Sequence, residues 1–186
     1  MEPENLLPSI VWRGNYSGNL DLIKKRIYSY IESKPYSMTN LYGNCIQSSA
    51  ADEPPHEWEE LTDFNNWFAD SYMEPWKNWN YELTDNIVPK SWFTYYPKEA
   101  YAGAHTHNMV SLICIFYVNA PSGNLEIQNP LFYHWEGTPR RNGLEWLEIP
   151  VNTGDVIMIP GWVNHRTKPN ESDDNRMIIT INLYAH

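Results

Sequence analysis

Residues 153–183 read TGDVIMIPGWVNHRTKPNESDDNRMIITINL, and this stretch decides the fold. A Gly154-Asp155 turn leads into a short apolar run that predicts a buried strand. The alternating run 176–183 predicts another strand, because successive side chains of a strand point to opposite faces. One face would then carry Arg176, Ile178, Thr180 and Asn182, and the other Met177, Ile179, Ile181 and Leu183.

Upstream of this stretch, the same texture of short β-rich runs and turn residues begins at about residue 87. The predicted strands are 91–96, 104–107, 111–119, 125–128, 144–149, 155–159, 165–168 and 177–184. Short strands at this spacing are typical of an antiparallel barrel or a jelly roll.

The N-terminal part has a different pattern, which predicts helices after a first short strand at 10–12. Apolar residues at helical spacing indicate a helix over 20–31, with Asn19 or Asp21 as its N-cap, that ends at Lys34-Pro35. A second helix is predicted over 56–73, broken by Pro75. We expect one mainly β domain over 1–186, with helical support over about 19–84 and a jelly-roll core over about 87–184.

Composition excludes several classes of protein. The 186 residues include 13 basic and 23 acidic side chains, a net charge of −10 that disfavours nucleic acid and anionic membranes as partners. No apolar run is long enough to span a bilayer, and the acidic N-terminus does not resemble a secretory signal, so we expect a cytoplasmic protein. Cys45 and Cys114 form no CxxC motif and are expected to be buried thiols.

Three of the six histidines are candidate metal ligands. His105 and His107 lie two apart in a predicted strand, so their side chains would share one face. His165 follows the buried strand after Gly154-Asp155 and would come from a neighbouring strand. Imidazoles in such a set suit iron, zinc, copper or nickel. An HxH pair on a solvated strand, without a metal, is the alternative.

Arg176 is the candidate anion-binding residue. On the inward face of a small barrel, a guanidinium needs an anionic partner, and no acidic residue of its own strand supplies one. A bound dicarboxylate could supply it through a bidentate pair. The alternative is a surface salt bridge with Asp173 or Asp174.

Together, the HxH pair, the distal histidine after a Gly-Asp strand and the later arginine resemble the 2-oxoglutarate/Fe(II)-dependent oxygenases. The likeness is greatest to the small prolyl-hydroxylase-like group with phage and marine bacterial members, and it runs from about Met38 to Leu183. It implies a double-stranded β-helix in which His105, His107 and His165 hold Fe(II). It also implies that Arg176, assisted by the Tyr96 hydroxyl, binds the distal carboxylate of 2-oxoglutarate.

The activity that this resemblance implies is hydroxylation of a peptidyl side chain, an amino acid or a small metabolite. Dioxygen and 2-oxoglutarate would be consumed, and succinate and CO₂ released. This chain departs from the common pattern at His107, where most relatives have a carboxylate ligand, and at Ile178, where many have a serine.

Two other functions stay open at this point. A cupin-like dioxygenase also uses three histidines, although Asn108-Met109-Val110-Ser111 stands where a cupin motif has its glutamate. The second alternative is a jelly-roll protein without catalytic activity that has a binding or structural role. Near the predicted site, Trp92 and Trp162 are candidates to line it. The long loop 129–143, with His134, Arg140 and Arg141, is either a substrate-gripping lid or a solvated insertion.

Overall fold

The computed structural model describes residues 11–34, 44–78, 87–130 and 145–185. In these ranges the helices are α1 (Leu20–Ser33), α2 (Thr62–Ser71) and α3 (Met73–Asn78), preceded in part by 3₁₀ turns at Pro55–Glu57 and Glu59–Leu61. The strands are β1 (Trp12–Asn15), β2 (Ile46–Gln47), β3 (Ile87–Tyr96), β4 (Leu112–Asn119), β5 (Leu125–Gln128), β6 (Trp146–Ile149), β7 (Asp155–Pro160), β8 (His165–Thr167) and β9 (Arg176–Ala185). None of the described helices has the length and apolar character needed to cross a membrane.

Two antiparallel sheets form the body of the protein. The larger has the strand order β1-β7-β4-β9-β3-β2, and the smaller has the order β6-β5-β8. Most neighbours in the larger sheet, and β5 and β8 in the smaller one, are not consecutive strands, as is typical of a jelly roll. This architecture confirms the predicted mainly β, jelly-roll fold with N-terminal helices.

Alternation along β9 separates two apolar cores. Met177 and Ile179 belong to the core that the larger sheet shares with the helices. Ile178 belongs to a second core, which lies between the sheets. The predicted assignment of the two faces of this strand is therefore confirmed, and it directs Arg176, Thr180 and Asn182 to the interior side that faces the smaller sheet.

The helices cover the outer face of the larger sheet. Asn19 caps α1 as predicted, since its Oδ1 accepts a hydrogen bond from the backbone N–H of Leu22 at 3.1 Å. Ile23 and Ile27 are fully buried beneath this helix. From α2, the ring of Phe64 stacks on that of Phe116 in β4, with centroids 4.2 Å apart. Helix and sheet therefore share one aromatic core.

Several predicted elements differ from the structure. The predicted helix 56–73 starts only at Thr62, because the preceding residues form two 3₁₀ turns. Pro75 does not break a helix either, since it lies in the first turn of α3, where a missing N–H is tolerated. The first strand occupies Trp12–Asn15 rather than 10–12, in register with β7.

The predicted strand 104–107 is also wrong. His105 forms a single isolated bridge with His165, and no named strand covers this segment. Its other backbone contacts are irregular: Thr167 donates to the carbonyl of Ala102 at 3.0 Å, while His107 donates to that of Gly161 at 2.9 Å. The segment therefore follows β8 without forming a continuous ladder.

Candidate metal and cosubstrate site

A cavity of about 490 Å³ lies against the interior faces of both sheets. The larger sheet contributes side chains from β2, β3, β4 and β9, and the smaller sheet from β5 and β8. All three predicted histidine ligands line it, as does Tyr96. Among the described residues, its wall carries no carboxylate, ammonium or guanidinium group.

The three histidines converge at this cavity. His105, His107 and His165 each offer a ring nitrogen, and these atoms all lie within 4.8 Å of one another. The rings of His105 and His165 are 4.4 Å apart between centroids, while the ring of His107 lies 5.1 Å from His105 and 5.2 Å from His165. This spacing allows one cation to contact all three rings.

Backbone hydrogen bonds hold the two contributing segments together. His105 and His165 exchange a reciprocal pair of backbone bonds, each 3.0 Å long. A side chain at Gly161 would collide with the carbonyl of Val110, so glycine is required for the close approach of the two segments. Segment 104–107 is therefore irregular rather than a strand, and its irregular backbone places His107 beside the other two rings.

Each histidine uses its Nδ1 atom for a hydrogen bond away from the centre of the cluster. His105 Nδ1 lies 2.7 Å from the carbonyl of Gly103, and His165 Nδ1 lies 2.9 Å from that of Val163. His107 Nδ1 lies 2.7 Å from Oδ1 of the Asn182 side chain. With a proton on Nδ1, the lone pair is on Nε2, which is the tautomer that binds metals.

The charge state of His107 and His165 also suits metal binding. Burial lowers the pKa of His107 to about 4, although its hydrogen bond with Asn182 acts in the opposite direction. Burial, together with the neighbouring His105, lowers the pKa of His165 to about 3. Both imidazoles are therefore neutral at pH 7, and a cation meets lone pairs rather than protons. This donor set fits the borderline metals, iron among them.

Arg176 lies behind the cavity wall and is fully buried. Its Nη1 donates to the backbone carbonyls of Ser122, Gly123 and Lys168, at 3.2, 2.7 and 2.9 Å. Its Nη2 donates to Oγ1 of Thr167 at 3.1 Å. The alternative of a surface salt bridge is wrong, because no carboxylate in the described ranges pairs with this guanidinium.

One edge of that guanidinium is left open. Nε is buried and has no hydrogen-bond partner among the described residues, and it lies on the same edge as Nη2. Burial lowers the pKa of Arg176, and no acidic side chain in the described part of the chain compensates. A buried cation with an open donor edge fits an anionic ligand such as a carboxylate.

Two tyrosines interact electrostatically with this cation. The guanidinium carbon of Arg176 lies 4.2 Å from the ring centroid of Tyr96, whose pKa is raised to about 12 by burial despite the nearby positive charge. Tyr117, on the interior face of β4, also has a raised pKa caused by burial, and the charge of Arg176 again lowers it in part. Its hydroxyl is buried without a partner in the described part of the chain.

Sequence reasoning did not single out Tyr117. The available signal was its position on the interior face of β4 after Ile113 and Ile115, since a buried tyrosine hydroxyl normally finds a hydrogen-bond partner. Asn182 was assigned to the correct face but to no role.

The remaining candidates divide into three groups. Trp92 lines the cavity, with its ring centroid 5.7 Å from that of His107, whereas Trp162 is half exposed and is absent from the wall. Both cysteines are buried, as expected, and Cys45 lines the cavity. Most of the loop 129–143, including His134, Arg140 and Arg141, lies outside the described residues.

Comparison with known proteins gives one family match. The profile of the family described as "Putative 2OG-Fe(II) oxygenase" matches residues 90–182, which is half of the chain and contains the three histidines, Tyr96 and Arg176. No curated protein has a matching sequence.

Solved structures share the fold. A prolyl-4-hydroxylase from Pseudomonas putida is 12% identical, with a TM-score of 0.66 over 95% of this chain and 93% of its own. A Trichoplax adhaerens prolyl hydroxylase, in complex with a hypoxia inducible factor peptide fragment, is 15% identical, with a TM-score of 0.66 over 94% and 83%. The epimerase SnoN, in complex with Fe³⁺, alpha ketoglutarate and nogalamycin RO, is 8% identical, with a TM-score of 0.57 over 95% and 79%. These likenesses establish the jelly-roll fold.

Proposed function

The chain belongs to the 2OG-Fe(II) oxygenase family, and from this premise we propose that it is a dioxygenase that hydroxylates its substrate. Per turnover, one dioxygen and one 2-oxoglutarate would give succinate, CO₂ and a hydroxylated product. The cofactor and cosubstrate of the family are Fe(II) and 2-oxoglutarate. The observation that carries the proposal is the convergence of three histidines on one cavity, together with a buried arginine that has no acidic partner in the described ranges.

In this proposal, His105, His107 and His165 hold the iron through Nε2. When bound, Fe(II) supplies the activation of dioxygen that no amino-acid side chain can provide. Three neutral ligands leave the full dipositive charge of the ion, and the carboxylate of 2-oxoglutarate that is not paired with Arg176 would offset part of it. The anionic cosubstrate therefore contributes the charge that a carboxylate ligand supplies elsewhere.

Arg176 would bind the distal carboxylate of 2-oxoglutarate. Three backbone carbonyls fix the Nη1 end and Thr167 accepts from Nη2, which leaves the unpartnered Nε–H as the donor to that carboxylate. Tyr117 would donate its otherwise unpartnered hydroxyl to the same carboxylate. Tyr96 would assist by packing its ring on the guanidinium and through its hydroxyl.

The part of the substrate that reacts would be uncharged. The described cavity wall has no charged side chain with which to pair, and it includes neutral hydrogen-bonding or aromatic groups from Gln47, Trp92, Thr106, Asn108 and Tyr184. Such a wall accepts an uncharged peptidyl side chain or a small metabolite. Low polarity would also limit entry of water during turnover.

A thermal-shift experiment with metal-free protein tests the proposal. We expect Mn(II), a redox-inert substitute for Fe(II), to raise the melting temperature, and 2-oxoglutarate to raise it further only when Mn(II) is present. Anaerobic loading with Fe(II), followed by exposure to air, should then release succinate from 2-oxoglutarate. Metal binding without a response to 2-oxoglutarate would contradict the proposal and favour the cupin-like alternative. Absence of metal binding would favour a non-catalytic jelly roll.

A further inference from the structure

The three histidines differ in what fixes their tautomer. For His105 and His165, the partner of Nδ1 is a backbone carbonyl, which can only accept a hydrogen bond. The proton must therefore lie on Nδ1 in both rings. For His107, the partner is a side-chain amide, and an amide can present either an acceptor or a donor. His107 is thus the one member of the cluster whose tautomer depends on a replaceable side chain.

We propose that Asn182 is a positioning residue that makes His107 a metal ligand. Its Oδ1, 2.7 Å from Nδ1 of His107, keeps the proton on that nitrogen and the lone pair on Nε2. Were the amide reversed, its N–H groups would favour the other tautomer, in which Nε2 carries a proton and cannot bind a cation. The inference rests on the proposed function, because it concerns the same metal site.

The backbone around Asn182 is suited to this role. The residue lies on β9 between two partner strands, opposite Ile113 on one side and Lys90 on the other. Its side chain is almost fully buried. The direction from Asn182 to His107 is therefore fixed by the interior of the sheet, whereas His107 itself lies on an irregular segment.

Nothing else in the described ranges competes for the amide. Asn182 has no side-chain hydrogen bond there other than the one with His107, and it lines the cavity. Trp92 contacts the His107 ring, but a ring contact cannot select a tautomer. Asn182 therefore explains how His107 can offer a lone pair on Nε2. His107 stands at the position where most relatives have a carboxylate ligand.

Two readouts other than activity test this inference. The first is the Mn(II) dissociation constant of the metal-free protein, measured from the electron paramagnetic resonance signal of free Mn(II). Asn182→Leu should weaken binding by about 10- to 100-fold, as loss of an outer-shell partner does. Asn182→Asp, which keeps an acceptor, should bind at least as tightly as the parent. Ile179→Val, a conservative change on the opposite, helix-side face of β9, should leave the constant unchanged.

The second readout is the histidine tautomer, measured by ¹⁵N nuclear magnetic resonance of the metal-free protein. In the parent and in Asn182→Asp, the His107 proton should lie on Nδ1; in Asn182→Leu it should redistribute to Nε2. His107→Gln assigns the signal, and Asn182→Ala replaces Asn182→Leu if the latter does not fold.

The outcomes distinguish failure of the Asn182 role from failure of the proposed function. If the parent binds Mn(II) and Asn182→Leu binds it equally well with an unchanged tautomer, the positioning role is wrong while the proposed function stands. Equal weakening by Asn182→Leu and Asn182→Asp also overturns it, because a general structural disturbance would then explain both. If the parent binds no Mn(II), the proposed function falls, and this inference falls with it.

Discussion

Gly123 and Arg176 are in such close contact that no other residue fits at position 123. A Cβ atom there would collide with Nη1 of Arg176, and it would also approach the carbonyls of Lys168 and Pro169 to within 2.8 and 2.7 Å. The backbone of Gly123 has a φ of 82°, a left-handed conformation that favours glycine. The carbonyl of the same glycine accepts a hydrogen bond from Nη1 at 2.7 Å. Gly123 therefore both accommodates and orients the guanidinium.

Gly123→Ala should consequently weaken 2-oxoglutarate binding without affecting the metal. Displacement of Arg176 misaligns its open edge, and we expect the dissociation constant of 2-oxoglutarate to rise by about tenfold or more, as for a lost charge-assisted hydrogen bond. Isothermal calorimetry of the Mn(II)-loaded protein under anaerobic conditions measures this constant.

Gly154→Ala is the matched control for backbone strain. Gly154 also has a positive φ, of 91°, and a Cβ there would approach a backbone carbonyl, that of Tyr16, but no guanidinium. Both variants should lose on the order of 1 kcal/mol of stability or more from the strained backbone. Only Gly123→Ala should lose affinity for 2-oxoglutarate, and equal losses in both variants would contradict a specific role for Gly123.

Tyr117→Phe tests the unpartnered hydroxyl beside Arg176. Since this hydroxyl has no described protein partner, its removal should not lower stability, yet it should remove a hydrogen bond to the cosubstrate. We expect about a tenfold weaker 2-oxoglutarate affinity by calorimetry. The chain offers a matched control in Tyr30→Phe, because Tyr30 is also buried with an unpartnered hydroxyl but lies in the helix-side core. If the two variants bind 2-oxoglutarate alike, Tyr117 does not contact it.

Much of the fold could be predicted because local patterns and tertiary structure agree. The alternation of residues 176–183 assigned both faces of β9 correctly, and Asn19 signalled the start of α1. The predicted start of the helix 56–73 was wrong because 3₁₀ turns have no apolar periodicity that would distinguish them from an α-helix. The predicted strand around His105 was wrong because this segment forms only intermittent hydrogen bonds with β8. No local sequence pattern indicates this.

The three candidate ligands of the site could be predicted from the sequence, whereas the groups that hold their side chains in place could not. Histidines at positions 105, 107 and 165 are recognisable by residue type and spacing. The acceptors for their Nδ1 atoms are two carbonyls and Asn182, which lies 75 residues away from its partner His107. Likewise, Arg176 was predicted from its charge, but the carbonyl cluster that holds it depends on how two loops meet. Which distant groups meet in this way is not recorded in a local sequence pattern.

Phe64→Ala tests the dependence of the sheet on its helices. The ring of Phe64 is fully buried, with stacked neighbours in Phe116 and Phe68. Its removal should lower the free energy of unfolding by about 3–5 kcal/mol, through lost burial and a residual cavity. Urea denaturation followed by tryptophan fluorescence gives the value. The exposed Tyr28→Ala change should cost much less, and a similarly small loss for Phe64→Ala would mean that the helices contribute little to the stability of the fold.

His165→Ala should abolish metal binding while the fold persists. Its imidazole is the most deeply buried of the three and lies 4.4 Å, between centroids, from that of His105, so its loss would remove one of the three proposed ligands. We expect the Mn(II) dissociation constant to rise by at least about 100-fold, beyond the loss typical of outer-shell partners. His56→Ala is the control, because His56 is outside the cluster and its Nδ1 contacts Ser91 at 2.7 Å. Mn(II) binding by folded His165→Ala that equals binding by His56→Ala would mean that the cation is held elsewhere. Loss of binding in His165→Ala alone, with the circular dichroism of the parent retained, would identify the cluster as the metal site.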